Sequence, residues 1–98
     1  MTLELGPIDR SLRDRAARVV PGGMYGHMRA SGLPAGYPQF FARGEGCHIW
    51  DVDGRKYLDF MCSWGPIVLG HRHPVVDAAA RKQMEQGDVL NGPWPKRS

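Results

Sequence analysis

The side chains with the widest chemical reach in this chain lie between Cys47 and His73. His71 and His73 stand one residue apart, with Cys47, His48 and Cys62 upstream, so soft and borderline metal ligands are present in number. A zinc site needs a further pair at clamp spacing, Cys-x2-Cys or His-x3-His, and the chain offers neither, so we assign no metal. Asp51, Asp53 and Asp59 are the carboxylates that acid–base work would draw on. Two of them frame an Asp-Gly turn, where aspartate favours the local geometry for its own reasons, and we read them as structural. Cys47 and Cys62 have no activating neighbour in sequence and read as small buried or strand residues.

The frame available to position such groups is small. A chain of 98 residues makes at most one domain, and at that length only about 60–65% of the unfolded surface can be buried. Gly 13 and Pro 8 point to many turns and little regular structure. The net charge of +3, from 13 basic against 10 acidic side chains, is mixed along the chain. Arg10, Arg13, Arg15 and Arg18 are interrupted by Asp14 and are followed by no stacking aromatics, so they read as the solvated face of a helix and not as a nucleic-acid stripe. Residues 1–20 lack an apolar leader core, and no run approaches the roughly 18 apolar residues of a membrane span. With two cysteines and no secretory signal before them, the expectation is a reduced, cytoplasmic protein that binds neither nucleic acid nor membrane.

Ile8, Leu12, Ala16 and Val19 fall on one stripe and predict a helix over 8–20, ended by Pro21-Gly22-Gly23. Residues 21–38, rich in glycine, read as an ordered or ligand-facing loop. A three-stranded antiparallel meander is expected over 39–61: a first strand at Gln39 to Ala42, a turn at Gly44-Glu45-Gly46, a second strand from Cys47 to Val52, and a third from Arg55 to Met61 after a two-residue Asp53-Gly54 connection. A loop over 62–73 leads to a helix over 74–86, with Pro74 at its first position and Gly87 at its end, followed by an aperiodic tail over 87–98. The order is α+β: helix, meander, helix. Such a sheet keeps two open edges, which are a liability for a lone domain.

The blocks Val19-Val20-Pro21-Gly22-Gly23, Tyr37 to Gly46, Trp50-Asp51-Val52-Asp53-Gly54, Tyr57-Leu58-Asp59-Phe60, Ser63-Trp64-Gly65-Pro66 and Gly70-His71-Arg72-His73-Pro74 occur in an order that resembles the N-terminal segment of class III, fold-type I pyridoxal-phosphate (PLP) aminotransferases. Glutamate-1-semialdehyde aminomutases are among the nearest relatives implied. The resemblance implies that these elements begin the small domain of a PLP-dependent transferase fold and pack on a large domain and on a partner subunit of a homodimer. It implies two substrate-binding residues. Arg29 matches an arginine that holds a substrate carboxylate, a task suited to bidentate guanidinium pairing. Trp64 matches a position flanking the substrate near the cofactor, where an indole gives a flat apolar wall. Met24-Tyr25-Gly26-His27-Met28 departs from the Asn-Ser-Pro-Val run usual in aminomutases, which leaves transamination and intramolecular amino transfer both open.

In that family the Schiff-base lysine, the aspartate on the pyridinium nitrogen and the phosphate cradle come later than Ser98. Lys56, Lys82 and Lys96 match no such motif, so no catalytic or cofactor-binding residue is assigned. The expectation is an incomplete N-terminal segment, inactive by itself and without bound PLP, whose intact enzyme acts on an amino acid or amino aldehyde. The other reading is a small non-enzymatic module that docks on an intact relative or on another protein.

Overall fold

The computed structural model describes residues 4–87; the tail from residue 88, with Trp94 and Lys96, lies outside the described residues. Helix α1 spans Pro7–Val19, strands β1, β2 and β3 span Phe41–Glu45, His48–Asp51 and Lys56–Leu58, and helix α2 spans Pro74–Met84. The strands form one antiparallel sheet in the order β1-β2-β3, the meander expected from the sequence.

Local chemistry accounts for the element ends. Pro7 and Pro74 each occupy the first turn of their helices, where the missing N–H is no loss. Gly22 and Gly23, with φ of 71° and 74°, turn the chain out of α1. Short 3₁₀ turns at Pro21–Gly23 and Ala30–Gly32 punctuate the loop that follows. Gly87, at φ 114°, stands just past α2.

Three boundaries of the meander differ from expectation. β1 runs on through Gly44 to Glu45, and the reversal is Gly46-Cys47, because Glu45 already pairs with His48. Gly44 is therefore a strand residue. Its lack of a side chain is required by His71, whose ring atom Cγ would lie 2.7 Å from a Cβ there. Four residues, Val52 to Arg55, separate β2 from β3, and three of them lie inside the closing bond: Gly54 N–H donates to the Asp51 carbonyl (3.1 Å), Asp51 N–H donates to the Arg55 carbonyl (3.0 Å), and Gly54 has φ 91°. This is a type I turn closed by a left-handed glycine. β3 stops at Leu58, since Asp59 turns its carboxylate back onto the N–H groups of Met61 and Cys62.

Side chains alternate across β2 and β3, and a register shift between Phe41 and Arg43 interrupts the alternation in β1. Trp50 carries the Arg43 guanidinium at 3.7 Å and the Lys56 ammonium at 5.4 Å on its face. Phe41 and Tyr57 meet edge to face, 6.1 Å between centroids. No hydrophobic residue among those described is fully buried; the buried side chains with charge are Asp9 and Asp51. Ile8 and Val19 of the α1 stripe remain exposed, whereas Leu12 and Ala16 are half-buried.

What fastens α1 to the sheet is carboxylate chemistry. α1 has no side-chain cap of its own at Gly6. Asp53, from the hairpin turn, supplies one by accepting the N–H groups of Ile8 (2.9 Å) and Asp9 (3.0 Å). Asp9 in return accepts the N–H groups of Gln39 (2.8 Å) and Phe40 (3.1 Å) and pairs with Arg13 Nε at 2.7 Å. Arg13, read from the sequence as part of a solvated arginine face, is thus half-buried and bonded, and its guanidinium also donates to the Tyr37 carbonyl.

Candidate functional site

Two loops meet in a groove of about 390 Å³. The loop after α1 contributes Met24, Tyr25 and Met28, and the loop after β3 contributes Met61, Ser63 and Trp64. Gln39 joins this groove to a smaller apolar one of about 280 Å³ against Ala16 of α1 and Val20 just past its end. The Gln39 amide donates to the Gly23 carbonyl at 2.6 Å, and its Oε1 is buried without a partner among the described residues.

Trp64 lies on this groove and is 69% exposed. Its presentation rests on an unusual backbone. Cys62, Ser63 and Trp64 have φ of 52°, 51° and 65°, and Gly65 has φ 105°. Left-handed conformation costs a non-glycine residue about 1–2 kcal/mol, and such outliers persist only where neighbours over-determine them. The neighbours are identifiable. Trp64 N–H donates to the Met61 carbonyl (3.1 Å), and the N–H groups of Gly65 and Ile67 both donate to the Cys62 carbonyl (3.0 Å). Asp59 Oδ1 accepts from Met61 (2.9 Å) and Cys62 (3.0 Å), and its Oδ2 meets His71 Nε2 at 2.6 Å. These bonds hold the Asp59 carboxyl below its usual range, the His71 bond first and the Cys62 N–H next, with burial opposing. His71 itself is bridged through its main chain to Gly46, at 2.9 and 2.8 Å.

Arg29 sits elsewhere. It lines a depression of about 150 Å³ with Pro21, Gly22 and His27, its stem against Gly22. Met28 borders both this depression and the Trp64 groove, so the two residues singled out from the sequence are neighbours across Met28 and do not share one cavity. The exposed Arg29 guanidinium forms no ion pair or hydrogen bond with a described residue.

The remaining polar candidates resolve into structural roles. Asp51 accepts from Asp53 N–H (3.0 Å), Arg55 N–H (2.9 Å) and Tyr57 Oη (2.8 Å). Burial pushes its carboxyl up, but these donors and the Arg55 charge outweigh it and the net direction is down. Burial and the bond to Asp51 push the Tyr57 hydroxyl up. Cys47, expected in a strand, is exposed in the Gly46-Cys47 turn with Sγ 3.6 Å from His48 Nδ1; Cys62, expected buried or in a strand, is half-buried in the left-handed turn. No group of three potential metal ligands occurs among the described residues.

The Asp59–His71 pair and the three left-handed residues were not anticipated. Asp59 alone left a trace, an aspartate two and three residues before the N–H groups it binds. Nothing in Cys62-Ser63-Trp64 announces positive φ, because glycine enters only at Gly65.

The model of the family described as "Aminotransferase class-III" matches residues 33–95. The chain belongs to the class III aminotransferases. It is 49% identical over 88 residues to an aminopentol aminotransferase of Sphingopyxis macrogoltabida, covering 90% of this chain and 21% of that protein. It is 44% identical over 89 residues to a glutamate-1-semialdehyde 2,1-aminomutase of Thermus thermophilus, covering 91% and 21%. The FumI protein of Sphingopyxis sp. MTA144, solved in its PLP internal aldimine form, superposes with a TM-score of 0.80 at 48% identity over 91% of this chain and 22% of that one. The chain thus spans about a fifth of the length of these relatives, and its two helices and three-stranded sheet belong to the PLP-dependent aminotransferase fold.

Intact enzymes of this family use PLP. The described groove offers no amine for a Schiff base with that cofactor. No lysine lines the groove; Lys56 is engaged with the Trp50 face and Lys82 lies exposed on α2. No helix among the described residues is long and apolar enough to cross a membrane.

Proposed function

We propose that this chain forms the substrate side of a PLP-dependent class III aminotransferase or aminomutase. Trp64 serves as an apolar wall and Arg29 pairs with the carboxylate of an amino acid or amino aldehyde. The reading rests on one observation above the others: Trp64 is held exposed, in a strained turn, at a groove shared with the loop that carries Arg29. Strain retained beside an open groove is characteristic of residues that meet ligands. The guanidinium, unpaired among the described residues, supports the second role, since a carboxylate would satisfy it bidentately. We further propose that these elements begin the small domain, that the working enzyme is a cytoplasmic homodimer, and that it binds no nucleic acid.

A hybrid tests this. Residues 1–87 replace the matching segment of the S. macrogoltabida aminotransferase, and conversion of bound PLP to its amine form is followed by absorbance with a carboxylate-bearing donor and with a simple amine. Arg29→Gln raises KM for the carboxylate donor about tenfold or more, the loss of a charge-assisted pair, and leaves the simple amine unchanged. Trp64→Ala raises KM for both. Equal effects of Arg29→Gln on the two donors would remove the carboxylate role.

A further inference from the structure

We infer that His71 is a positioning residue for Trp64, acting through the Asp59 carboxylate; this rests on the reading of Trp64 as a substrate wall. Asp59 divides its two oxygens between two tasks. Oδ1 holds the N–H groups of Met61 and Cys62 at the entry to the left-handed turn, and Oδ2 is taken by His71 Nε2 at 2.6 Å. A carboxylate with one oxygen on a turn can still rotate about its own bonds. The imidazole removes that freedom, and with it the turn's alternative of relaxing to negative φ.

The His71 ring is not needed to hold its own loop. That is done by two main-chain hydrogen bonds with Gly46, which any residue but proline at position 71 could make. The ring's evident task is Asp59. Its seat is made for it: Gly44 lacks the side chain that would collide with His71 Cγ at 2.7 Å and with Nδ1 at 3.0 Å. The path from Gly46 through His71 and Asp59 to Cys62, Ser63 and Trp64 couples the tip of the β1–β2 hairpin to the groove.

The test uses the same hybrid enzyme, with His71→Ala, His71→Gln, Trp64→Ala and the double variant His71→Ala/Trp64→Ala, read by steady-state kinetics and by crystal structures. In His71→Ala the φ angles of residues 62–64 leave the positive region and KM rises about tenfold, with kcat changed less. His71→Gln, whose amide can place a donor near the Nε2 position, regains both. The double variant is no worse than Trp64→Ala alone, because the two changes remove one effect. Multiplying KM effects, or a His71→Ala structure with the turn intact, would overturn the inference. Should Trp64→Ala leave the kinetics unchanged, the substrate-wall reading fails, and the turn in His71→Ala then decides the positioning role by itself: relaxed supports it, intact overturns it. If His71→Ala does not fold, Gly44→Ala displaces the ring without deleting it and is read the same way.

Discussion

Helices α1 and α2 are similar in length, and each begins with a proline, yet they are held in opposite ways. α1 is fastened to the sheet by reciprocal carboxylates, Asp53 on its first N–H groups and Asp9 on the N–H groups of Gln39 and Phe40. α2 buries no residue, and Val75, Val76 and Met84 stand exposed. The contrast teaches that order in this segment comes from satisfied polar joints where a hydrophobic core would ordinarily supply it. One helix is bonded to its neighbours within the described residues, though Ile8 and Val19 stay exposed on it, and the other presents an apolar face that they leave uncovered.

The largest break in that contrast comes from Asp9→Ala. It removes the Arg13 ion pair and strands two half-buried backbone donors, at about 1–3 kcal/mol for each donor left unsatisfied. A domain of this size has only about 5 kcal/mol or somewhat more in hand. Hydrogen exchange should show protection of the α1 amides collapsing, while α2 amides exchange as before. Equal loss in both helices would mean that they form one cooperative unit and that the contrast is superficial.

Gly6→Ala should act through the same joint with smaller effect. A Cβ at Gly6 would lie 2.1 Å from Asp53 Cγ, so the capping carboxylate must move away from Ile8 and Asp9. The expected cost is that of a lost helix cap, about 1 kcal/mol, read as a lower urea midpoint with an unchanged slope. Asp53→Asn alone, which keeps one of the two accepting oxygens and turns an NH2 toward the other N–H, should cost part of the same amount.

Acid should weaken the hydrogen-bond networks built on Asp51 and Asp59. The Asp51 and Asp59 carboxyls are held below their ordinary values in the folded chain. A group depressed on folding contributes stability that is present above its unfolded pKa, about 3.9, and is lost as pH falls through the folded value. Stability should therefore be level above about pH 5 and fall on acidification below about pH 4. Tyr57 runs the other way: its hydroxyl is raised, so its contribution is full below about pH 10 and lost as pH climbs through the folded value. A urea midpoint measured from pH 2 to 8 reads the acid limb. Tyr57→Phe should shrink the Asp51 part of it by deleting one of three donors to that carboxylate.

The same contrast explains what the sequence could convey. Both helices, the order of the strands and the presence of a turn at Asp53-Gly54, though not its length, were legible because periodicity, prolines and glycines act locally. Gly44 was misread as a turn residue because glycine signals positive φ more often than space, and here the space is for His71. The Asp9 and Asp53 joints were not legible: each bridges residues some 30 to 45 positions apart, and no local pattern records the partner. Arg29 and Trp64 could be singled out only by family likeness. The bonds that set up the Trp64 turn join Asp59 to a histidine twelve residues away, on a loop whose path the sequence did not disclose.

The smallest effect should come from α2, and it sharpens the contrast most. Val76→Ser removes an apolar side chain that is already 51% exposed. Within this chain it should change stability by no more than about 0.5 kcal/mol, the usual range for surface substitutions. In the hybrid enzyme, where four-fifths of a relative is restored, the same change should lower the melting temperature measurably if that part of the protein covers the α2 face. A null result in both settings would show Val76 to be a surface residue in either context and would leave α1 as the only helix whose attachment matters. A loss confined to the hybrid would establish that α2 is fastened by apolar contact outside the described residues, as α1 is fastened by carboxylates within them.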